Sequence, residues 1–152
     1  MTEKMLVFDM DGTIADLYAV ENWLPMLRAY DVTPYEKARP MYDMNELADV
    51  LNALKRNGYT IAIVTWLAKG NNKEYDNKVR VAKANWIKRY GFPVDEVHMV
   101  KYGTTKANCV RKKTVTAILV DDNAQIRKGW HLGDTINANE NILIELKKLL
   151  DK

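Results

Sequence analysis

Asp9 and Asp11, Thr65, Lys106 and the pair Asp121-Asp122 are the residues of this 152-residue chain whose types and spacing suit a chemical task. The acids and the threonine stand where apolar runs stop. Met5-Leu6-Val7-Phe8 ends at Asp9, YTIAIV (59–64) ends at Thr65, and VTAILV (115–120) ends at Asp121. Carboxylates gathered in one crevice repel one another, so such a cluster calls for a cation. A hard divalent ion such as Mg²⁺ takes oxygen ligands, keeps waters and commonly shares its shell with a substrate phosphate. Positions i and i+2 of an extended segment point to one side, so Asp9 and Asp11 can face one bound group, and Gly12 lets the chain turn away after them. One carboxylate of such a pair can attack phosphorus while its neighbour supplies and later removes protons. Taken singly, each residue also has an ordinary use. Loop acids cap helices, Thr65 ends a β-branched strand, and Lys106 is one lysine among many, with Lys101 its nearest rival for the role.

The elements that must position these residues follow from periodicity. Short apolar runs without polar alternation read as strands of a parallel sheet covered on both faces. To the three runs above, Val97–Val100 and Thr135–Ile136 add weaker candidates. Between them, Leu47, Val50, Leu51 and Leu54 share one face of a helix over 46–56, with Asp43 and Glu46 spaced as a capping box and Asn57-Gly58 as the stop. Val79, Ala82, Trp86 and Tyr90 predict a second helix over about 74–90, ended by Gly91 and Pro93. Ile142, Leu146, Leu149 and Leu150 mark a third from Asn141, and Lys106 falls where another short helix would open. Such alternation predicts a doubly wound, Rossmann-like α/β fold, a three-layer sandwich with a mostly parallel sheet. In that architecture ligands bind at the carboxyl ends of the strands, where the acids, Thr65 and Lys106 would meet.

About 30 residues between the first strand and the helix at 46 are too many for a plain βα connection, so an insertion at about 15–44 is expected to form a small helical cap. Leu17, Val20, Leu24 and Leu27 approximate helical spacing, and Pro25 argues for a break or kink. Tyr18, Trp23 and Tyr30 give the cap aromatic faces that can line the crevice or pack against the body. Trp66, directly after Thr65, borders the same crevice or packs beside it. Arg127 and Trp130 follow the acidic pair closely enough to line it.

Composition narrows the class. A chain of this length, 47% hydrophobic, fits one domain over 1–152. Lys plus Arg number 23 against 20 Asp plus Glu, and a formal charge of +3 is too slight for a dedicated nucleic-acid binder. Cys109 is the only cysteine, which excludes an intrachain disulfide and leaves it a small buried apolar residue. His98, expected to be buried in its strand, and His131, in a loop, lack metal-ligand spacing. No apolar run approaches the ~20 residues of a membrane helix, and Asp9 and Asp11 interrupt the one early apolar stretch. A cytoplasmic protein with no membrane partner is expected.

FDMDGT after the first strand, IVT after the second, a lysine near a helix start and then LVDD resemble, in that order, the haloacid dehalogenase superfamily; the resemblance spans 5–123. It implies an Mg²⁺-dependent phosphatase. Asp9 matches the nucleophile that becomes an aspartyl-phosphate, and Asp11 the general acid/base, whose backbone carbonyl also meets the metal. Thr65 matches the hydroxyl that holds a phosphoryl oxygen, helped by the backbone N–H of Trp66, and Lys106 the cation that screens Asp9 from the phosphate. Asp122 aligns better with the direct metal ligand and Asp121 with a water-mediated one, an order the resemblance leaves open, and Asp9 counts with them and Asp11 among the metal residues. FDMDGTIAD with a short helical insertion and a late DD pair further resembles the small 5′(3′)-deoxyribonucleotidases. That implies a small phosphorylated substrate, a nucleoside monophosphate, held against cap aromatics such as Tyr18 and Trp23.

Two alternatives remain at this level. A polynucleotide-end (3′) phosphatase would draw on the basic run Arg111-Lys112-Lys113 with Lys101 and Lys106. A receiver-type phosphoacceptor without turnover also joins acids, a threonine and a lysine in a parallel α/β fold. Its acid pair follows the first strand and its phosphoacceptor the third, whereas here the acids follow the first and fourth.

Overall fold

The computed structural model describes residues 3–110 and 115–152. Seven strands occur among them: β1 (Glu3–Phe8), β2 (Ala15–Asp16), β3 (Arg39–Pro40), β4 (Tyr59–Trp66), β5 (Glu96–Val100), β6 (Val115–Asp121) and β7 (Thr135–Asn137). Five form one parallel sheet in the order β5-β4-β1-β6-β7. The chain builds outward from β1 on one side and then returns to build outward on the other. The point of reversal therefore lies between the carboxyl ends of β1 and β6, where Asp9 and Asp121 emerge. This is the crevice where open α/β sheets bind ligands.

Period-two alternation explains why these runs are apolar throughout. Leu6, Phe8, Ile61, Ile63, Ile118 and Val120 point to one face of the sheet, and Met5, Val7, Ala62, Val64, Ala117 and Leu119 to the other, all buried. The first face is covered by α3 (Met44–Arg56), α4 (Lys73–Arg89) and α6 (Ile142–Leu150), through Leu47, Leu51, Leu54, Trp86, Ile142 and Leu146. Among the described residues the second face is covered by shorter pieces: a 3-10 turn over Lys106–Cys109, Ile126 of α5 (Ala124–Lys128) and Trp130. Half-buried Cys109 packs against this layer.

Helix starts are fixed by side-chain caps. Asp43 accepts from the backbone N–H groups of Asn45 (2.9 Å) and Glu46 (3.1 Å), and Asn72 from that of Tyr75 (2.9 Å). Glu46 reaches Lys147 at 2.9 Å, tying α3 to α6, so the expected reciprocal capping box is only half present. His98 is only partly buried and lies 3.2 Å from Glu96; its edge strand β5 leaves one side open. The run Arg111-Lys112-Lys113 lies outside the described residues.

The insertion after β1 folds into a 3-10 turn (Leu17–Ala19) and two short helices, α1 (Trp23–Arg28) and α2 (Thr33–Lys37), closed by the β2-β3 ribbon. The single helical stripe expected from Leu17 to Leu27 is thus split. Pro25 neither breaks nor kinks α1, because it sits in the first turn, where its missing N–H has no intrahelical partner to lose. Leu17 and Tyr35 pack with Leu67, Tyr75, Val79 and Ala82, so the cap rests on the start of α4. The buried Trp86 indole donates to the Ala38 carbonyl at 2.7 Å, and the Tyr75 hydroxyl to that of Asp31 at 2.8 Å. No helix among the described residues is long and apolar enough to cross a membrane.

Candidate active site

β1 delivers Asp9 by pairing to its last residue, and the Asp9 N–H still bonds the Val120 carbonyl of β6 at 2.9 Å. The chain then coils tightly, with the N–H groups of Thr13, Ile14 and Ala15 all converging on the Met10 carbonyl. Gly12 is required in this loop. Its φ is +79°, and a Cβ there would lie 2.5 Å from Asp122 Oδ2 and 2.8 Å from the Tyr18 ring. The result is a β1 loop pressed directly against the end of β6.

Carboxylate oxygens of Asp9, Asp121 and Asp122 lie within 4.8 Å of one another. Lys106 reaches across from its 3-10 turn, with Nζ 2.8 Å from Asp9 Oδ1 and 2.9 Å from Asp121 Oδ2. Asp121 is fully buried, and its other oxygen accepts the Asn123 N–H at 2.9 Å, so both oxygens are engaged within the protein. Asp122 is more open. Thr13 Oγ1 lies 3.2 Å from Asp9 Oδ2 and 3.4 Å from Asp122 Oδ1, so its one proton can serve either.

Asp11 takes a different partner. Its Oδ2 accepts from Lys83 Nζ at 2.9 Å, and its side chain is absent from the carboxylate group above. The metal contact expected of Asp11 is through its backbone carbonyl, and this side-chain placement leaves that carbonyl to it. Lys83 also donates to Thr65 Oγ1 (2.7 Å) and to the Trp66 carbonyl (2.9 Å), and it is 0% exposed. It was not among the sequence candidates, although a signal existed. Residues 79, 82, 83 and 86 follow i, i+3, i+4, i+7, so Lys83 falls on the apolar stripe of α4 rather than its wet face.

The electrostatics suit a divalent cation. Among the described residues, Asp9, Asp11, Asp121 and Asp122 face two ammonium groups, Lys83 and Lys106, leaving a formal deficit of two positive charges. Burial, hydrogen bonding to Asp9 and the charges of Asp9 and Asp121 push the Asp122 carboxyl up to about 7. Burial and the Asp9 charge raise Asp121 against the pull of Lys106. Burial also raises Asp11, outweighing the opposing pull of Lys83. Lys106 is raised: burial opposes its charge, but Asp9 and Asp121 together outweigh it. Hard oxygen donors held at this separation suit Mg²⁺.

The group opens into a cleft of about 390 Å³. Tyr18 and Trp23, ring centroids 4.9 Å apart, form its cap side, and Trp66 and Tyr102, also 4.9 Å apart, its body side. The Trp66 indole is anchored on the Thr104 carbonyl at 2.8 Å, and Lys106 Nζ lies 5.6 Å from its ring centroid. Three expected lining residues are elsewhere. Tyr30 stacks on Tyr75 outside the cleft, Trp130 is buried under the sheet with its indole on the Ala117 carbonyl, and Arg127 bonds the Asp121 carbonyl. Lys101, the rival to Lys106, is exposed on a loop.

No protein-family model and no curated protein matches this sequence. Solved structures do. The D,D-heptose 1,7-bisphosphate phosphatase from Burkholderia thailandensis is 11% identical with a TM-score of 0.51, covering 99% of this chain and 100% of its own. The enzyme of that name from B. bronchiseptica, complexed with magnesium and phosphate, is 12% identical with a TM-score of 0.57, covering 97% of this chain and 98% of its own. The chain shares their fold. At such identity the likeness reaches the α/β architecture and its crevice, and the chemistry must be argued from the side chains.

Proposed function

We propose that this chain is an Mg²⁺-dependent phosphomonoester hydrolase that works through an aspartyl-phosphate on Asp9, with a nucleoside monophosphate as substrate. The observation that carries the reading is the convergence of Asp9, Asp122, Thr65 and Lys106, from four separate segments, on one end of the sheet. That the similar solved structures are phosphatases, one with magnesium and phosphate bound, supports it.

Asp9 and Asp122, with the backbone carbonyl of Asp11, are the groups that would hold the metal, and Asp121 stands behind them against Lys106. When bound, the cation offsets the charge of the phosphoryl oxygens and of the carboxylate they approach. A carboxylate oxygen of Asp9 attacks phosphorus; the P–O bond to the ester oxygen breaks, and that oxygen leaves with the electron pair and takes a proton from Asp11. Lys106 screens Asp9 from the incoming dianion, and the Thr65 hydroxyl donates to a phosphoryl oxygen. Water then attacks phosphorus, its proton passes to Asp11, the bond to Asp9 breaks and inorganic phosphate departs. The nucleotide preference rests on the paired aromatic walls, Tyr18–Trp23 and Trp66–Tyr102, since every base has a π-face to stack.

A panel of phosphate monoesters assayed with and without Mg²⁺ tests the reading: nucleoside monophosphates, sugar phosphates and bisphosphates, and a 3′-phosphorylated oligonucleotide. Sustained Mg²⁺-dependent release of phosphate, fastest from nucleotides, is expected. Preference for a sugar phosphate would overturn the nucleotide assignment alone. A single phosphorylation without turnover would replace the hydrolase by a receiver-type phosphoacceptor.

A further inference from the structure

We infer that Lys83 is a positioning residue of the reaction, setting which oxygen of Asp11 handles the proton and which way the Thr65 hydroxyl points; the inference rests on the hydrolase reading above. A protonated lysine has three N–H donors and no acceptor. Here all three have partners: Asp11 Oδ2 at 2.9 Å, Thr65 Oγ1 at 2.7 Å and the Trp66 carbonyl at 2.9 Å. The polarity of each contact is therefore fixed. Thr65 must accept from Lys83, so its own proton is free to donate into the cleft, which is what a phosphoryl oxygen needs. Asp11 has Oδ2 committed to the ammonium, so Oδ1 is left to exchange a proton with the ester oxygen and later with water.

The placement explains why a lysine occupies a fully buried position on an otherwise apolar helix stripe. From α4, Lys83 brings one cation to a residue of the loop after β1 and to two at the end of β4, while the Tyr35 ring from the cap lies 5.2 Å from Nζ and closes the cap side. Lys106 performs the corresponding task for Asp9 and Asp121. The two ammonium groups thus divide the site, one on the nucleophile and one on the proton-transfer group.

Leaving groups separate this role from simple structural support. An alkyl ester needs a proton as its oxygen departs, whereas p-nitrophenolate leaves without one; hydrolysis of the phosphoenzyme needs Asp11 in both cases. With Lys83→Met, first-turnover phosphorylation by the best alkyl ester from the panel should slow by roughly 100-fold, within the range general acid–base catalysis supplies. Phosphorylation by p-nitrophenyl phosphate should slow by less than about 10-fold, followed by a burst of one p-nitrophenolate per enzyme and slow release of phosphate. In an Asp11→Asn background, Lys83→Met should add little further loss on the alkyl ester, because both changes act on one group. Equal slowing for the two esters, no burst, or additive losses would overturn the assignment while wild-type turnover keeps the hydrolase intact. A wild type that turns over neither ester would overturn both. Should Lys83→Met fail to fold by circular dichroism, Lys83→Gln, which retains a donor amide, is read by the same ratio. Failure of both to fold would reassign Lys83 to stability and overturn the inference.

Discussion

Lys106 Nζ sits 2.8 Å from Asp9 Oδ1, and the same ammonium lies 2.9 Å from Asp121, so one buried cation links the acid that ends β1 to the acid that ends β6. The contact joins residues 97 positions apart and closes the crevice at the point where the strand order reverses. It also makes the two partners unequal in what their loss would do.

Asp9→Asn removes one of three carboxylates crowded within 4.8 Å of one another. Turnover should fall by roughly 10⁴-fold or more, because an amide does not attack phosphorus. Thermal stability without Mg²⁺ should not fall, since like-charge repulsion is relieved and Lys106 keeps Asp121. Lys106→Met leaves Asp121 buried with an uncompensated charge and should cost about 3–5 kcal/mol. Phosphate release and melting curves for both variants check this; a destabilised Asp9→Asn with intact turnover would contradict it.

Metal binding should compete with protons. The Asp122 carboxyl is pushed up to about 7, so near neutrality the metal-free protein holds a proton there that a cation must displace. Mg²⁺ affinity should weaken as pH falls through 7, with protons released on binding. Between about pH 4, the unfolded carboxyl value, and 7, the folded state binds more protons than the unfolded one, so metal-free stability falls as pH rises through that window. Mg²⁺ should restore it at the upper end. Calorimetric titrations in two buffers of different ionisation heat, with melts across the range, measure both; affinity unchanged from pH 6 to 8 would refute the coupling.

Much of this site was readable because each of its strand-borne groups interrupts an apolar run. Phe8 to Asp9 and Val120 to Asp121 are single steps from a sheet buried on both faces to the crevice at its end, and burial leaves an acid there few other uses. Lys83 is less legible: its place on the apolar stripe of α4 can be read, but lysines on helices ordinarily face water, and the fold shows this one buried under the cap. The cap itself was legible as an insertion but not in detail. Its elements, Trp23–Arg28 and Thr33–Lys37, are one to two turns long, too short for periodicity to mark. The aromatic residues were equally ambiguous, and contacts alone separate Tyr18 in the cleft from Tyr30 against Tyr75.

Gly12→Ala tests how closely the β1 loop must approach Asp122. A methyl at this position would need to share space with Asp122 Oδ2 at 2.5 Å and with the Tyr18 ring at 2.8 Å, in a backbone conformation at φ +79°. Strain of about 1–3 kcal/mol is expected, together with displacement of Asp122. Mg²⁺ affinity should drop more than stability does. Titrating Mg²⁺ against folded variant, with a melt alongside, separates the effects; an unchanged affinity would mean that Asp122 does not hold the ion where Gly12 passes it.

The two aromatic walls should act on the organic part of the substrate and not on the phosphoryl group. Tyr18 is 51% exposed and its ring meets Trp23 edge-on, so the pair presents surface to the cleft instead of filling the core. Trp23→Ala should raise KM for a nucleoside monophosphate by about 10-fold or more, the loss of one stacked base at 1–3 kcal/mol, and leave kcat near wild type. For a small phosphate ester without a ring the same variant should change neither constant. Trp66→Ala should affect both substrates, because the Trp66 ring also lies beside Lys106, 5.6 Å from Nζ to its centroid. Steady-state kinetics on the two substrates discriminate these outcomes, and a Trp23→Ala enzyme that loses the ringless ester as heavily as the nucleotide would place Trp23 in the support of the cap, not in substrate recognition.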